Sequence, residues 1–269
     1  MTVDEVRTRF LELHDRPRPL LVPNPWDIGS ARLLASLGFE ALATTSSGIA
    51  GTLGRPDGSL SGEEAVALTA AIASAVDVPV SADLEDGFGD APDDVAATIG
   101  RAVATDLAGA SIEDWSTDRR EIHELALAVE RIAAAAEVAH VGPVPFVLTA
   151  RAENHIRGRD DLDDTIARLR AFQDAGADVL YAPGLMARAD IEAVVAAVDR
   201  PVNVIVRPGG PTVDELAEWG VGRISVGGAL SNVAVAAVAA AARELLGAGT
   251  LGFLDAAVEG RALARDAYA

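Results

Sequence analysis

Short apolar runs rich in Val, Ile and Leu alternate along this chain with longer stretches in which alanine and aliphatic residues recur at helical spacing. The runs predict strands at 20–23, 41–45, 78–82, 109–113, 145–150, 178–182, 202–206 and 223–227. The periodic stretches predict helices at 27–37, 61–76, 92–106, 118–139, 160–175, 187–198, 212–219 and 229–246. Gly38, Gly176 and Gly220 follow helical stretches where a left-handed cap is expected. Ahead of the repeat, Val6, Phe10 and Leu13 mark a lead-in helix within residues 1–19, broken by Pro17 and Pro19. Behind it, 250–269 form one more helical tail. Eight strand–helix units indicate an α/β fold of the (β/α)8 barrel type rather than a doubly wound sheet, with residues 1–269 as one domain.

In such a barrel, function gathers at the C-terminal strand ends. The third run stops at Asp83-Leu84-Glu85-Asp86, and a glycine turns it. Asp83 and Glu85 sit two apart on an extended chain, so they point the same way. Their mutual repulsion is relieved by a proton or by a hard oxygen-seeking cation such as Mg²⁺. A solvated acidic turn would account for the same pattern, and for Asp86 in particular. Glu113 ends the fourth strand and could join the other two acids on one cation. Arg151, at the end of the fifth, either grips a substrate carboxylate or neutralises the acidic ring. Ser46, Ser47 and Gly48 suit a carboxylate or a developing oxyanion, or simply cap a turn. Asn203 could hold a second carboxylate or order a loop. Trp26 walls the site or packs beneath it, and His155 is a candidate acid–base group. Gly209-Gly210 and Gly227-Gly228, after strands seven and eight, leave a phosphate cradle as a rival reading.

Composition narrows the chemistry. All 22 basic residues of the 269 are arginine, which excludes Schiff-base catalysis and a P-loop lysine. There is no cysteine, hence no disulfide, thiolate zinc site or thiol nucleophile, in keeping with a cytoplasmic protein. The acidic Met1-Thr2-Val3-Asp4-Glu5 start is not a secretory signal. A formal charge of -19 argues against nucleic acid and anionic membranes as partners. No apolar run is expected to reach the ~20 residues that span a bilayer.

Taken in order, Asn24-Pro25-Trp26-Asp27, Thr45-Ser46-Ser47-Gly48-Ile49-Ala50, Leu53-Gly54-Arg55-Pro56-Asp57-Gly58, Ser81-Ala82-Asp83-Leu84-Glu85-Asp86-Gly87, Ile112-Glu113-Asp114, Thr149-Ala150-Arg151 and Val202-Asn203-Val204 resemble the isocitrate lyase / phosphoenolpyruvate mutase superfamily over about residues 20–235. The resemblance implies a Mg²⁺ enzyme, with Mn²⁺ as substitute, that makes or breaks a C–C or C–P bond next to a carboxylate through an enolate. It implies that Asp83, Glu85 and Glu113 hold the metal directly or through water. Thr45, Ser46, Ser47, Gly48, Arg151 and Asn203 would line the substrate site, with Asp57 near the reacting centre. It also implies a homo-oligomer, a dimer or tetramer, whose eighth helix is swapped between subunits. Two departures qualify this. The Lys-Cys-Gly-His type loop after the strand-four glutamate, whose cysteine donates a proton in the lyases, has no counterpart, and the segment after Glu113 is expected to run almost straight into a helix. The glutamate after strand six is replaced within Tyr181-Ala182-Pro183-Gly184. The expectation is therefore a lyase or decarboxylase of a small 2-oxo or 2-hydroxy acid, with water or His155 delivering the proton. Phosphonopyruvate-type C–P chemistry, a sugar-phosphate barrel and a non-catalytic carboxylate binder are the alternatives.

Overall fold

A computed structural model describes all residues 1–269. In chain order the elements are α1 (Val3–His14), β1 (Leu20–Val22), α2 (Ile28–Ser36), β2 (Leu42–Ala43), α3 (Ser46–Thr52), α4 (Gly62–Ala73), β3 (Val80–Asp83), α5 (Pro92–Val103), β4 (Gly109–Glu113), β5 (Trp115–Ser116), β6 (Glu121–Ile122), α6 (Leu125–Ala139), β7 (Val147–Arg151), α7 (Leu162–Asp174), β8 (Val179–Tyr181), α8 (Arg188–Ala197), β9 (Val202–Ile205), α9 (Val213–Glu218), β10 (Arg223–Ser225), α10 (Ala229–Gly247) and α11 (Leu254–Ala267). Every predicted strand is present. Eight of them pair in parallel in the order β1-β10-β9-β8-β7-β4-β3-β2. The two ends of that sheet meet: the Ala43 amide donates to Pro23 O at 3.2 Å, and Asn24 Nδ2 to Thr44 O at 3.0 Å. The result is the expected (β/α)8 barrel with additional helices.

Helix starts follow local chemistry. Thr2 with Glu5, Ser61 with Glu64 and Thr212 with Glu215 form reciprocal capping boxes that satisfy otherwise orphaned amides. The lead-in helix plugs the barrel floor. Its Phe10 and Leu13 pack on Leu20, Val22, Val147 and Val179, and Arg7 donates to Val103 O and Leu107 O.

Two local predictions fail. The Ser46-Ser47-Gly48 turn is the first part of helix α3, and residues 118–122 are not helical. Instead β5 and β6 form a two-stranded antiparallel hairpin, closed by the Arg120 amide on Ser116 O at 2.8 Å. Arg120 takes a left-handed φ of 56° to make that turn.

The C-terminal region departs more. Helix α10 has no buried residue, and Val233, Val235, Val238 and Leu246 stand exposed along it. Its 19 residues, at a mean hydropathy of 1.5, make it long and apolar enough to cross a membrane by length and composition alone, one residue short of the ~20 that no apolar run was expected to reach. Helix α11 turns back onto α2, with the Tyr268 hydroxyl over Gly29.

Candidate active site

The C-terminal strand ends enclose a cavity of about 470 Å³ with a strongly polar lining. At its centre lies Arg151, from the end of β7. Its Nη1 donates to Asp83 Oδ1 at 3.1 Å, and its Nη2 reaches Glu113 Oε2 at 2.9 Å and Glu153 Oε1 at 2.8 Å. Arg157 closes the ring, with Nη2 on Glu113 Oε1 at 3.0 Å and Nε on Glu153 Oε2 at 3.2 Å. The register explains the convergence: Glu113 on β4 sits directly across from Arg151 on β7, and Asp83 one strand further round pairs with Ser111. Glu153 follows Arg151 by two residues and points the same way. Burial works against the Arg151 charge, but Glu113, Glu153 and Asp83 outweigh it and hold the guanidinium firmly protonated. Of the two roles open to Arg151, its hydrogen bonds favour neutralising the acids.

Asp83 is fixed on its other side by helix α3. The Ser46 amide, in the first turn of that helix, donates to Asp83 Oδ2 at 3.1 Å, and the Thr44 hydroxyl accepts from the Asp83 amide. Ser46 Oγ donates to Asp57 Oδ1 at 3.0 Å, so a residue outside the barrel strands joins the same edge. Thr45 and Ser47 share a hydroxyl contact at 3.0 Å and border the cavity. Asp86 serves its turn instead, accepting from the Phe88 and Thr117 amides.

Glu85 is the unbalanced group. It is buried, takes a left-handed φ of 49°, and leaves Oε1 without a partner. Burial first, then the charges of Asp83, Asp57 and Asp86, push its pKa up to about 8. Glu113 is raised too, chiefly by burial, with Arg151 opposing. Asp83, Glu85 and Glu113 thus share one cavity, but no three acidic or imidazole groups of the chain stand close enough to grip an ion directly. Both Glu113 oxygens are taken by arginines. These oxygens are of the kind a hard cation would take, and Asp83, Glu85 and Glu113 are the residues that would hold one.

Several candidates lie elsewhere. His155 does not line the cavity, and its Nδ1 lies 3.2 Å from Asp160 Oδ1. Trp26 and Gly48 do not line the cavity. They pack on one another behind it, so closely that a Cβ on Gly48 would lie 2.7 Å from Trp26 Cβ. Asn203 does line the site, donating from Nδ2 to Ser225 Oγ and accepting at Oδ1 from Arg223. Of the rival phosphate cradle, Gly227 and Gly228 line the cavity, but Asn24 Oδ1 takes the amides of Val226 and Gly227, both at 2.8 Å, and Gly209-Gly210 is not part of the cavity.

Other lining residues went unassigned from sequence. The β5–β6 hairpin sets Trp115, Thr117 and Arg120 over the mouth, and the Trp115 ring stacks under Arg157 at 4.3 Å. Tyr181 lies under Arg151 at 5.2 Å from the ring centroid. Beneath the ring, Asp114 accepts from the Glu153 amide and from Arg168, a buried brace whose carboxyl burial lifts to about 6.

A family model described as phosphoenolpyruvate phosphomutase matches residues 10–246. The chain belongs to the phosphoenolpyruvate phosphomutase family. It is 35% identical over 236 residues to an uncharacterised protein, Rv1998c, of Mycobacterium tuberculosis (strain ATCC 25618 / H37Rv), covering 87% of each chain. A crystal structure from Burkholderia cenocepacia J2315, provisionally described as a lyase/mutase, superposes with a TM-score of 0.93 at 50% identity, covering 98% of this chain and 95% of that one. The structure of 2,3-dimethylmalate lyase, described as a PEP mutase/isocitrate lyase superfamily member, superposes with a TM-score of 0.86 at 28% identity over 97% and 94% of the two chains. The family is one of lyases and mutases, and the acidic ring around Arg151 lies at the C-terminal ends of the barrel strands.

Proposed function

We propose that this protein is a Mg²⁺-dependent lyase or decarboxylase that acts on a small 2-oxo or 2-hydroxy carboxylic acid through an enolate. The observation that carries this reading is Glu85: a buried carboxylate with an orphaned oxygen beside Asp83, whose own partner Arg151 is already saturated by carboxylates. Such a group demands a cation or a proton. Mg²⁺ would supply a Lewis acid for the oxygens of an enolate. The chain's own residues do the rest. The Ser46 amide and Arg151 fix Asp83, leaving Glu85 free to turn toward the cation. The Thr45 and Ser47 hydroxyls face the cavity as donors for a substrate carboxylate. The hairpin bearing Trp115 and Thr117 narrows access for water where the family loop is missing. With His155 outside the cavity, we assign proton delivery to water held at the Ser46–Asp57 pair.

The relation to 2,3-dimethylmalate lyase supports cleavage of a substituted malate, and decarboxylation of an oxaloacetate-like acid needs the same enolate. The competing C–P reading shares this half of the site. The test is a panel of 2-oxo and 2-hydroxy acids incubated with Mg²⁺ and followed by NMR. Turnover of a carboxylic acid, abolished by Asp83→Ala and by chelation, is expected; turnover only of a phosphonate would replace this reading. The bare apolar face of α10 and the family's helix exchange support a homo-oligomer, and the cysteine-free, acidic composition supports a cytoplasmic setting.

A further inference from the structure

Four guanidinium groups border the cavity: Arg120, Arg151, Arg157 and Arg223. Arg151 and Arg157 are committed to Asp83, Glu113 and Glu153, and Arg120 stands exposed at the mouth. Arg223 is different. It begins β10, is 3% exposed, and faces no carboxylate at all. Its Nε donates to Asn203 Oδ1 at 2.9 Å, while Nη1 is buried without any partner. The neighbours are neutral. Asn203 leads to the Ser225 hydroxyl at 3.1 Å, Tyr181 lies above with its phenol kept protonated by burial, and below, burial and the Arg223 charge together hold the His14 imidazole neutral.

A buried cation without a counter-ion is costly, and burial lowers its pKa to about 10. In a protein with a formal charge of -19 there is no shortage of carboxylates to pair it. The Asp83–Arg151–Glu113 ring lies at the ends of β3, β4 and β7, and Arg223, at the start of β10, lies past Tyr181 and Asn203 on the opposite arc and deeper, on the His14 side of the cavity. The cavity therefore has an acidic half suited to a cation and a basic floor suited to an anion.

We infer that Arg223 is the specificity-determining counter-ion for a second acid group of the substrate, so that the enzyme selects a dicarboxylate over the matching monocarboxylate. The acid group sits against the free Nη1 edge, flanked by the Asn203 and Ser225 side chains, and completes the charge pairing that the protein itself withholds. This rests on the enolate reading for the other end of the substrate, but its test does not.

Isothermal titration in Mg²⁺ would compare malate with 2-hydroxybutyrate, which keeps the 2-hydroxy acid end and lacks the distal carboxylate. Oxalate serves as the probe of the enolate end. The wild type is expected to prefer malate by roughly ten- to hundredfold, the range of a charge-assisted hydrogen bond. Arg223→Met should erase that preference and leave oxalate binding within twofold. Its unliganded Tm should equal or exceed that of the wild type, because an uncompensated charge has left the interior. A merely structural arginine would instead lower the Tm and weaken both ligands together. Should the Met variant fail to fold, Asn203→Asp decides, since it sets a carboxylate against Nε and should erase the preference with the guanidinium in place. A wild type that binds malate and 2-hydroxybutyrate equally, or variants that retain the preference, would overturn the inference. A malate preference that tracks Arg223 while oxalate with Mg²⁺ fails to bind would keep it and sink the enolate reading instead.

Discussion

Removing the charge of Glu85 should stabilise the metal-free protein in a pH-dependent way. In the fold, burial and the neighbouring Asp83, Asp57 and Asp86 hold this carboxyl near pKa 8, against 4.5 for the free group. At ~1.4 kcal/mol per pH unit the difference corresponds to about 5 kcal/mol as an upper bound. Water entering the open cavity screens part of it, so about 2 kcal/mol is the working expectation. The sign follows from proton counts. Between the two pKa values the folded state holds the proton that the unfolded state has lost, so stability falls as pH rises from about 4.5 through 8 and levels off above. Glu85→Gln copies the protonated form and escapes the fall. By differential scanning calorimetry in EDTA the variant and wild type should melt together near pH 5, and the variant should melt roughly 4–8 °C higher at pH 9. Mg²⁺ should raise the wild type alone at pH 9 and narrow the gap. An equal gap at pH 5 and 9, or a variant less stable at pH 9, would refute the argument that Glu85 carries unrelieved charge.

Three further outcomes follow from the geometry. His155→Ala should leave kcat within about threefold, because the imidazole faces Asp160 outside the cavity; a hundredfold loss in steady-state assays would return it to the acid–base role. Asp114→Ala should cost about 3 kcal/mol in urea unfolding, since it strips Arg168 of a buried partner and leaves the Glu153 amide unanswered. A cost under ~1 kcal/mol would mean Asp164 suffices to hold Arg168. Val238→Glu, in the bare face of α10, should lower the mass found by light scattering to a smaller species, and an unchanged mass would remove that helix from the assembly.

The barrel was legible because its strands are apolar runs bounded by turns, and α1 because Phe10 and Leu13 repeat at helical spacing. The misses have local causes. Asp118-Arg119-Arg120-Glu121 has helix-forming side chains, but Arg120 adopts the left-handed turn of a hairpin whose two-residue strands carry no periodic signal. Ser46-Ser47-Gly48 looks like a turn, yet Gly48 is there because Trp26 presses on it within α3. Asp83, Glu85 and Glu113 could be placed in one cavity from strand ends alone, whereas Arg151's saturation depended on Glu153 and the closing of the ring on Arg157, both beyond the strand. A period-two reading past Arg151 would have found Glu153. A lone charge inside the run from Val221 to Val226 was the available signal for Arg223. His155 could not be placed from sequence, because its direction is set by the turn after β7 rather than by the strand.

Asp83 and Glu85 are proposed here as a divalent-cation site that presents an enolate. Oxalate copies the planar enolate of pyruvate, so thermal unfolding with Mg²⁺, with oxalate, with both, and with inorganic phosphate tests it most directly. A ligand at ~100 times its Kd adds about 2.7 kcal/mol. A large rise in Tm that needs both Mg²⁺ and oxalate and vanishes in Asp83→Ala is expected. A rise with phosphate alone that survives the substitution would contradict it.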